Sequence, residues 1–104
     1  MSLSAQITLP NGTKYTQPLG LFINNEFVEG HDKPIEVYDP YTGKLLTSVQ
    51  AANEADVDVA VEAAEKAKRG WRETHPSARA VILNKMADLI ERDADIIAAI
   101  EVSL

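Results

Sequence analysis

The half of this chain from Asn53 to Leu104 repeats a helical hydrophobic spacing three times, and it limits what the whole can fold into. The spacing predicts helices over Asn53–Arg69, Pro76–Arg92 and Ala94 to about Leu104. Asn53 is a good N-cap, with Glu54 at N1 and Asp56 at N3, where carboxylates favour the positive end of the helix dipole. Val57, Val61, Ala64 and Trp71 fall on one face of the first helix, with Ala60 and Ala67 beside them. Small side chains let a helix axis approach a neighbour closely, so this face suits packing against something larger. Lys66, Lys68 and Arg69 close the helix, and Gly70 is a natural residue just past its end. Pro76 suits the first turn of the second helix. There Ile82, Leu83, Met86, Leu89 and Ile90 form an amphipathic stripe. Asp93 can cap the third helix, with Ile96, Ile97 and Ile100 on its buried side. Leu104 follows with no Gly, Pro or cap, which suggests a cut instead of a natural end.

The front half reads as strands and turns. Ile7 and Leu9 alternate with Thr8, and Asn11-Gly12 suits a tight turn, but a flexible arm over 1–20 fits the polar composition equally. Leu21–Ile23 and Glu26–Val28 flank Asn24-Asn25, the pattern of a β-hairpin. Gly30 to Pro34 breaks the strand. Ile35, Val37 and Asp39 then alternate towards Asp39-Pro40, and Leu45–Val49 starts the next strand after the Tyr41-Thr42-Gly43 turn.

Composition narrows the chemistry. A net charge of -6 opposes binding to nucleic-acid phosphates and to anionic membrane surfaces. There is no cysteine, so there is no disulfide, thiolate metal site or cysteine nucleophile. No apolar run approaches the ~20 residues that span a bilayer. Met1–Pro10 lacks the pattern of a secretory signal, so the expected setting is cytoplasmic. Without secretion, Asn11-Gly12-Thr13 is a turn, not a glycosylation site. His31 and His75 have no His or Cys partner at ligand spacing and read as solvated loop residues. Glu54, Asp56, Asp58, Glu62 and Glu65 read as a solvated helix face. Lys66, Lys68 and Arg69 sit at the wrong helix pole for an anion. Ser77, Ser103 and the threonines have no base at a recognisable spacing, and no glycine-rich phosphate cradle is present. Trp71 reads as a core anchor. The residues alone therefore give a mixed domain without an active site.

Five segments in order resemble the N-terminal region of aldehyde dehydrogenases, in particular fungal ones. They are Leu21-Phe22-Ile23-Asn24-Asn25-Glu26-Phe27-Val28, Asp39-Pro40-Tyr41-Thr42-Gly43-Lys44, Glu54-Ala55-Asp56-Val57-Asp58 with Ala60-Val61-Glu62-Ala63-Ala64, Gly70-Trp71-Arg72, and Leu83 to Asp93. Lys68 departs from the pattern, standing where relatives often carry an aromatic residue. The resemblance implies an α+β fragment: two short β-hairpins followed by three helices, the first part of an α/β cofactor-binding domain. Residues 1–20 would be a flexible N-terminal arm and 21–104 the incomplete front of that domain, with the alanine face of the first helix lying against the absent sheet.

The family oxidises aldehydes to carboxylic acids with NAD or NADP through a cysteine thiohemiacetal. Its catalytic Cys and Glu, its oxyanion Asn and its cofactor-binding Lys match no position here. The resemblance therefore implies no catalytic and no cofactor-binding residue, an inactive isolated chain needing no cofactor, and a parent that is a homo-oligomer. Backbone carbonyls of Val37 and Tyr38 match a structural monovalent-cation site, which would draw a further ligand from beyond Leu104. The expected partner is the remainder of the enzyme chain. The alternative is a short non-catalytic interaction module that pairs with a full-length relative.

Overall fold

Three antiparallel hairpins are followed by three helices in the computed structural model, which describes residues 2–103. The strands are β1 (Ser4–Thr8), β2 (Lys14–Pro18), β3 (Leu21–Ile23), β4 (Glu26–Val28), β5 (Asp32–Tyr38) and β6 (Leu45–Ala51). The helices are α1 (Glu54–Glu73), α2 (Pro76–Arg92) and α3 (Ala94–Ser103). Each strand pairs with its sequence neighbour in a two-stranded sheet. The end expected for α3 at about Leu104 lies outside the described residues.

The first hairpin corrects both the flexible arm and the count of two hairpins. Ile7 pairs with Tyr15 and Ala5 with Gln17 across β1 and β2. The turn needs three residues, not the two of Asn11-Gly12. The Leu9 N–H donates to the Thr13 carbonyl and the Gly12 N–H to the Leu9 carbonyl, while Gly12 takes a positive φ of 84°. That is a hairpin loop ending in a left-handed residue, which glycine adopts without strain. Polar composition hid the strands because only one face is covered. Ile7, Leu9 and Leu19 are the buried apolar residues among those described.

In the second hairpin Asn24 and Asn25 both hold positive φ, 51° and 65°, as a two-residue primed turn demands. Phe22 and Phe27 face each other across it with ring centroids 4.8 Å apart. The third hairpin starts earlier than expected, at Asp32, and runs through Pro34. A register slip between Asp32 and Ile35 accommodates the missing proline N–H.

Helix α1 does not stop at Arg69 but continues through Gly70 to Glu73. Glycine weakens a helix without forbidding it, and Arg69 bonds Glu73 one turn on at 3.0 Å. The stop comes at Thr74 and His75, before Pro76, which disfavours helical geometry in the residue it follows. Trp71 is not a core anchor, being 44% exposed. Nor is the α2 stripe buried: Ile82, Leu83, Met86, Leu89 and Ile90 all face solvent. On α3, Ile97 is exposed, while Ile96 and Ile100 are half-buried. The Asp93 carboxylate turns to the Arg92 guanidinium, and its carbonyl accepts the Ile97 N–H.

The molecule is extended. Its Cα radius of gyration is 16.7 Å, against about 13 Å for a compact domain of this length. Its accessible surface is 8010 Å², roughly 2,200 Å² more than folded monomers of this mass expose.

Two glycines with opposite surroundings test this packing. A Cβ on Gly30 would lie 2.1 Å from the Ala51 carbonyl oxygen, whereas one on Gly70 meets nothing within 4 Å. Gly30→Ala should cost about 1–3 kcal/mol and speed amide exchange in β5 and β6. Gly70→Ala should stabilise α1 by about 0.5–1 kcal/mol and strengthen the helical circular dichroism signal at 222 nm.

Candidate functional site

The only buried charged side chains among the described residues are Asp39 and Asp56, and each organises a junction. Asp56 sits at the third position of α1. Its Oδ2 accepts the Asn53 N–H at 3.0 Å, and the Asn53 Oδ1 accepts the Asp56 N–H at 2.9 Å, a reciprocal capping box. The same Oδ2 accepts the His31 N–H at 2.9 Å, and Oδ1 lies 2.5 Å from His31 Nδ1. An ionised carboxylate can only accept, so Nδ1 carries the shared proton. Beside this pair, the Gln50 side chain accepts the Gly30 N–H at 2.9 Å. The connection after β4 is thereby tied to the start of α1.

These donors hold the Asp56 carboxyl below the usual carboxylate range. The Asn53 N–H contributes most, then the His31 ring and the His31 N–H, with burial opposing them. Asp39 closes the β5–β6 turn. Its carboxylate accepts the Tyr41 N–H and the Thr42 hydroxyl, and its backbone pairs with Gly43 and Lys44. The Tyr41 N–H is the main cause of its lowered pKa.

Sequence spacing placed Asp56 at the helix start but counted it with the solvated acidic face, and His31 with the solvated loop residues. The structure brings the two together. Nothing local signals the pair, since 25 residues separate them. His75 stays at the N-cap of α2, where its Nδ1 accepts the Ser77 N–H. Val37 and Tyr38 end β5, paired with Thr47 and Leu45, with a register slip between them. Among the described residues no cluster of three or more His, Cys, Asp or Glu is arranged to hold a metal. No helix of the described residues is long and apolar enough to cross a membrane.

The arrangement ties the loop after β4 to the head of α1. The Asp56 oxygens are taken up by cap and loop donors. Residues 27–103 match the aldehyde dehydrogenase family. The chain belongs to that family. An aldehyde dehydrogenase from Aspergillus niger is 54% identical over 101 residues, covering 95% of this chain and 20% of that protein. One from Emericella nidulans is 58% identical over 90 residues, 85% of this chain and 18% of the relative. A Saccharomyces cerevisiae relative, aldehyde dehydrogenase [NAD(P)+] 1, is 51% identical over 87 residues, 82% of this chain and 17% of its own. The chain thus spans about a fifth of the length of the curated relatives it matches.

The starts of α1 and α2 are occupied in part by their own capping groups. Pyrophosphate binding uses free N–H groups at a helix start. At α1 the Asp56 N–H is spent on Asn53 and the buried Asp56 carboxylate stands there. At α2 the first residue is Pro76, and the Ser77 N–H bonds His75.

The Asp56 junction has a definite pH dependence. Its folded pKa lies below the ordinary 3.8, so its contribution is complete above that value and is lost as pH falls through the folded pKa. In an NMR titration, the His31 and Asn53 amides should shift in one step below pH 3.8, with α2 amides unmoved in that step. Asn53→Ala should cost about 1 kcal/mol and fray the first turn of α1, seen as faster amide exchange there.

Proposed function

We propose that this chain is the N-terminal part of an aldehyde dehydrogenase whose complete form oxidises aldehydes to carboxylic acids with NAD or NADP. The observation that carries this is the match of residues 27–103 to the family, together with relatives five times longer. The uncovered α2 stripe supports it, because such a stripe is a core-facing surface without its core. Residues 21–104 then form the front of the cofactor-binding domain. On this reading the chain alone binds no cofactor and turns over no substrate, having no cysteine. The complete form is a cytoplasmic homo-oligomer.

The Val37 and Tyr38 carbonyls are proposed to contribute to a monovalent-cation site. The register slip between them supports this, since it breaks the regular carbonyl pairing at the end of β5. Two oxygens do not fill a shell, and on this reading a further ligand comes from beyond Leu104. A second reading, a non-catalytic module that pairs with a full-length relative, also draws on the uncovered stripe.

A chimera tests the main reading. This chain should replace the matching front of the Aspergillus niger relative, and NADH or NADPH formation from acetaldehyde should be followed at 340 nm. The chimera should retain activity within about tenfold of the relative, and the 104-residue chain should show none. A folded but inactive chimera, or turnover by the chain alone, would count against the reading.

A further inference from the structure

The tip of the first hairpin takes no part in the Asp56 junction, yet its geometry carries chemistry of its own. Asn11 and Gly12 are both exposed there. The Asn11 Oδ1 accepts the Thr13 N–H at 3.0 Å, which folds the side chain back along the Gly12 peptide. The same donor sits on the oxygen that gains charge when the amide carbon is attacked. Gly12 takes a positive φ of 84°, and nothing lies within 4 Å of where its Cβ would stand. The backbone nitrogen next to the Asn11 amide therefore has no side chain to shield it. Its N–H is held at 2.8 Å by the Leu9 carbonyl, which opposes loss of the proton and slows the attack without blocking it. The other asparagines are closed in different ways. Asn24 and Asn25 are followed by Asn25 and Glu26, whose side chains crowd the next nitrogen. Asn53 is locked in its capping box and followed by Glu54. Asn84 lies inside α2, where the next N–H belongs to the helical ladder.

We propose that Asn11 is a self-modifying site, at which the Gly12 backbone nitrogen attacks the Asn11 side-chain carbon and converts the asparagine to aspartate and isoaspartate. The step needs only water. The Gly12 nitrogen loses its proton to solvent base and bonds to Asn11 Cγ. The Cγ–Nδ2 bond breaks, and ammonia leaves. Water then opens the resulting cyclic imide at either of its carbonyls. One opening gives aspartate. The other routes the main chain through the side chain and adds a methylene to the loop. Both products place a carboxylate where a neutral amide stood. The isoaspartyl product also disturbs the hairpin, because the Leu9 N–H donates to the Thr13 carbonyl across this loop at 2.8 Å. Leu9 is only 3% exposed and belongs to the small apolar cluster with Ile7 and Leu19. A lengthened loop draws Leu9 away from that bond and loosens β1 from β2.

The experiment holds the 104-residue chain at mildly alkaline pH and follows each asparagine by peptide mass spectrometry, with isoaspartate separated from aspartate by chromatography. Asn11 should convert at least tenfold faster than Asn24, Asn25, Asn53 or Asn84. The rate should rise with hydroxide concentration, and isoaspartate should be among the products. Gly12→Ala should slow the conversion at least tenfold. Alanine is strained at this φ, so Asn11→Gln is a second control: it keeps Gly12, and its longer side chain should end the conversion. In the isoaspartyl fraction the β1 and β2 amides should exchange faster than in the parent, with β5 and β6 unchanged. No conversion at Asn11, earlier conversion at another asparagine, or the parent rate in Gly12→Ala would overturn the site. Unchanged exchange in β1 and β2 of the isoaspartyl chain would overturn its coupling to the Leu9 loop.

Discussion

One carboxylate sets how the helical half meets the stranded half. Asp56 accepts from the Asn53 and His31 backbones and from the His31 ring, so the start of α1 is bonded to the loop after β4. Its neighbours complete the junction. Gly30 passes so close to Ala51 that no side chain fits, and its N–H is taken by Gln50. The Gln50 N–H in turn reaches the Leu19 carbonyl, drawing in the end of the first hairpin. A carboxylate without partners in such a place would be expensive, which is why burial and full hydrogen bonding occur together here. Removing any one donor exposes the rest to that cost.

The polar junction carries this role because apolar burial is sparse. Ile7, Leu9 and Leu19 cluster under the first hairpin, yet the long helices add little to them. The chain removes about half of its unfolded surface from water, where a compact protein of this mass removes nearly two-thirds. Exposed ion pairs such as Glu62–Lys66 and Arg69–Glu73 do not close that gap, since solvent screens them. Orientation is therefore set by directional bonds at the head of α1, while the far ends of the helices are held loosely by their own backbone ladders.

Features that depend on a few neighbouring residues were legible in the sequence. Asn24-Asn25 gave the second hairpin, Asn53 the start of α1 and Pro76 the start of α2, each through a local backbone demand. The segments from Leu21 to Asp93 also carried the family. What escaped depends on distant partners or on competition between local signals. Gly70 looked like a helix end, but the real stop needed Pro76, six residues later. The polar front hid a hairpin because half of its residues face water. His31 and Asp56 lay in separate elements, and neither advertises the other. Trp71 was assigned to a core on its size, and size says nothing about whether a neighbour is present.

The same distinction explains why α2 reads as a core helix and lies in solvent. Hydrophobic periodicity reports which surface a helix must cover, not which polypeptide covers it. On α1, Ala60 and Ala63 are half-buried beside an open groove shared with the second hairpin, while Ala64 and Ala67 face solvent. On α2 the stripe faces solvent, while the Arg79 Nε is shielded and unpaired among the described residues. Two adjacent helices thus present different apolar faces, small residues on α1 and large ones on α2. That difference follows from side-chain volume. Alanines admit a thin two-stranded hairpin at close range, whereas a row of Ile, Leu and Met needs a broad apolar surface of comparable depth, and none of the described residues covers that row.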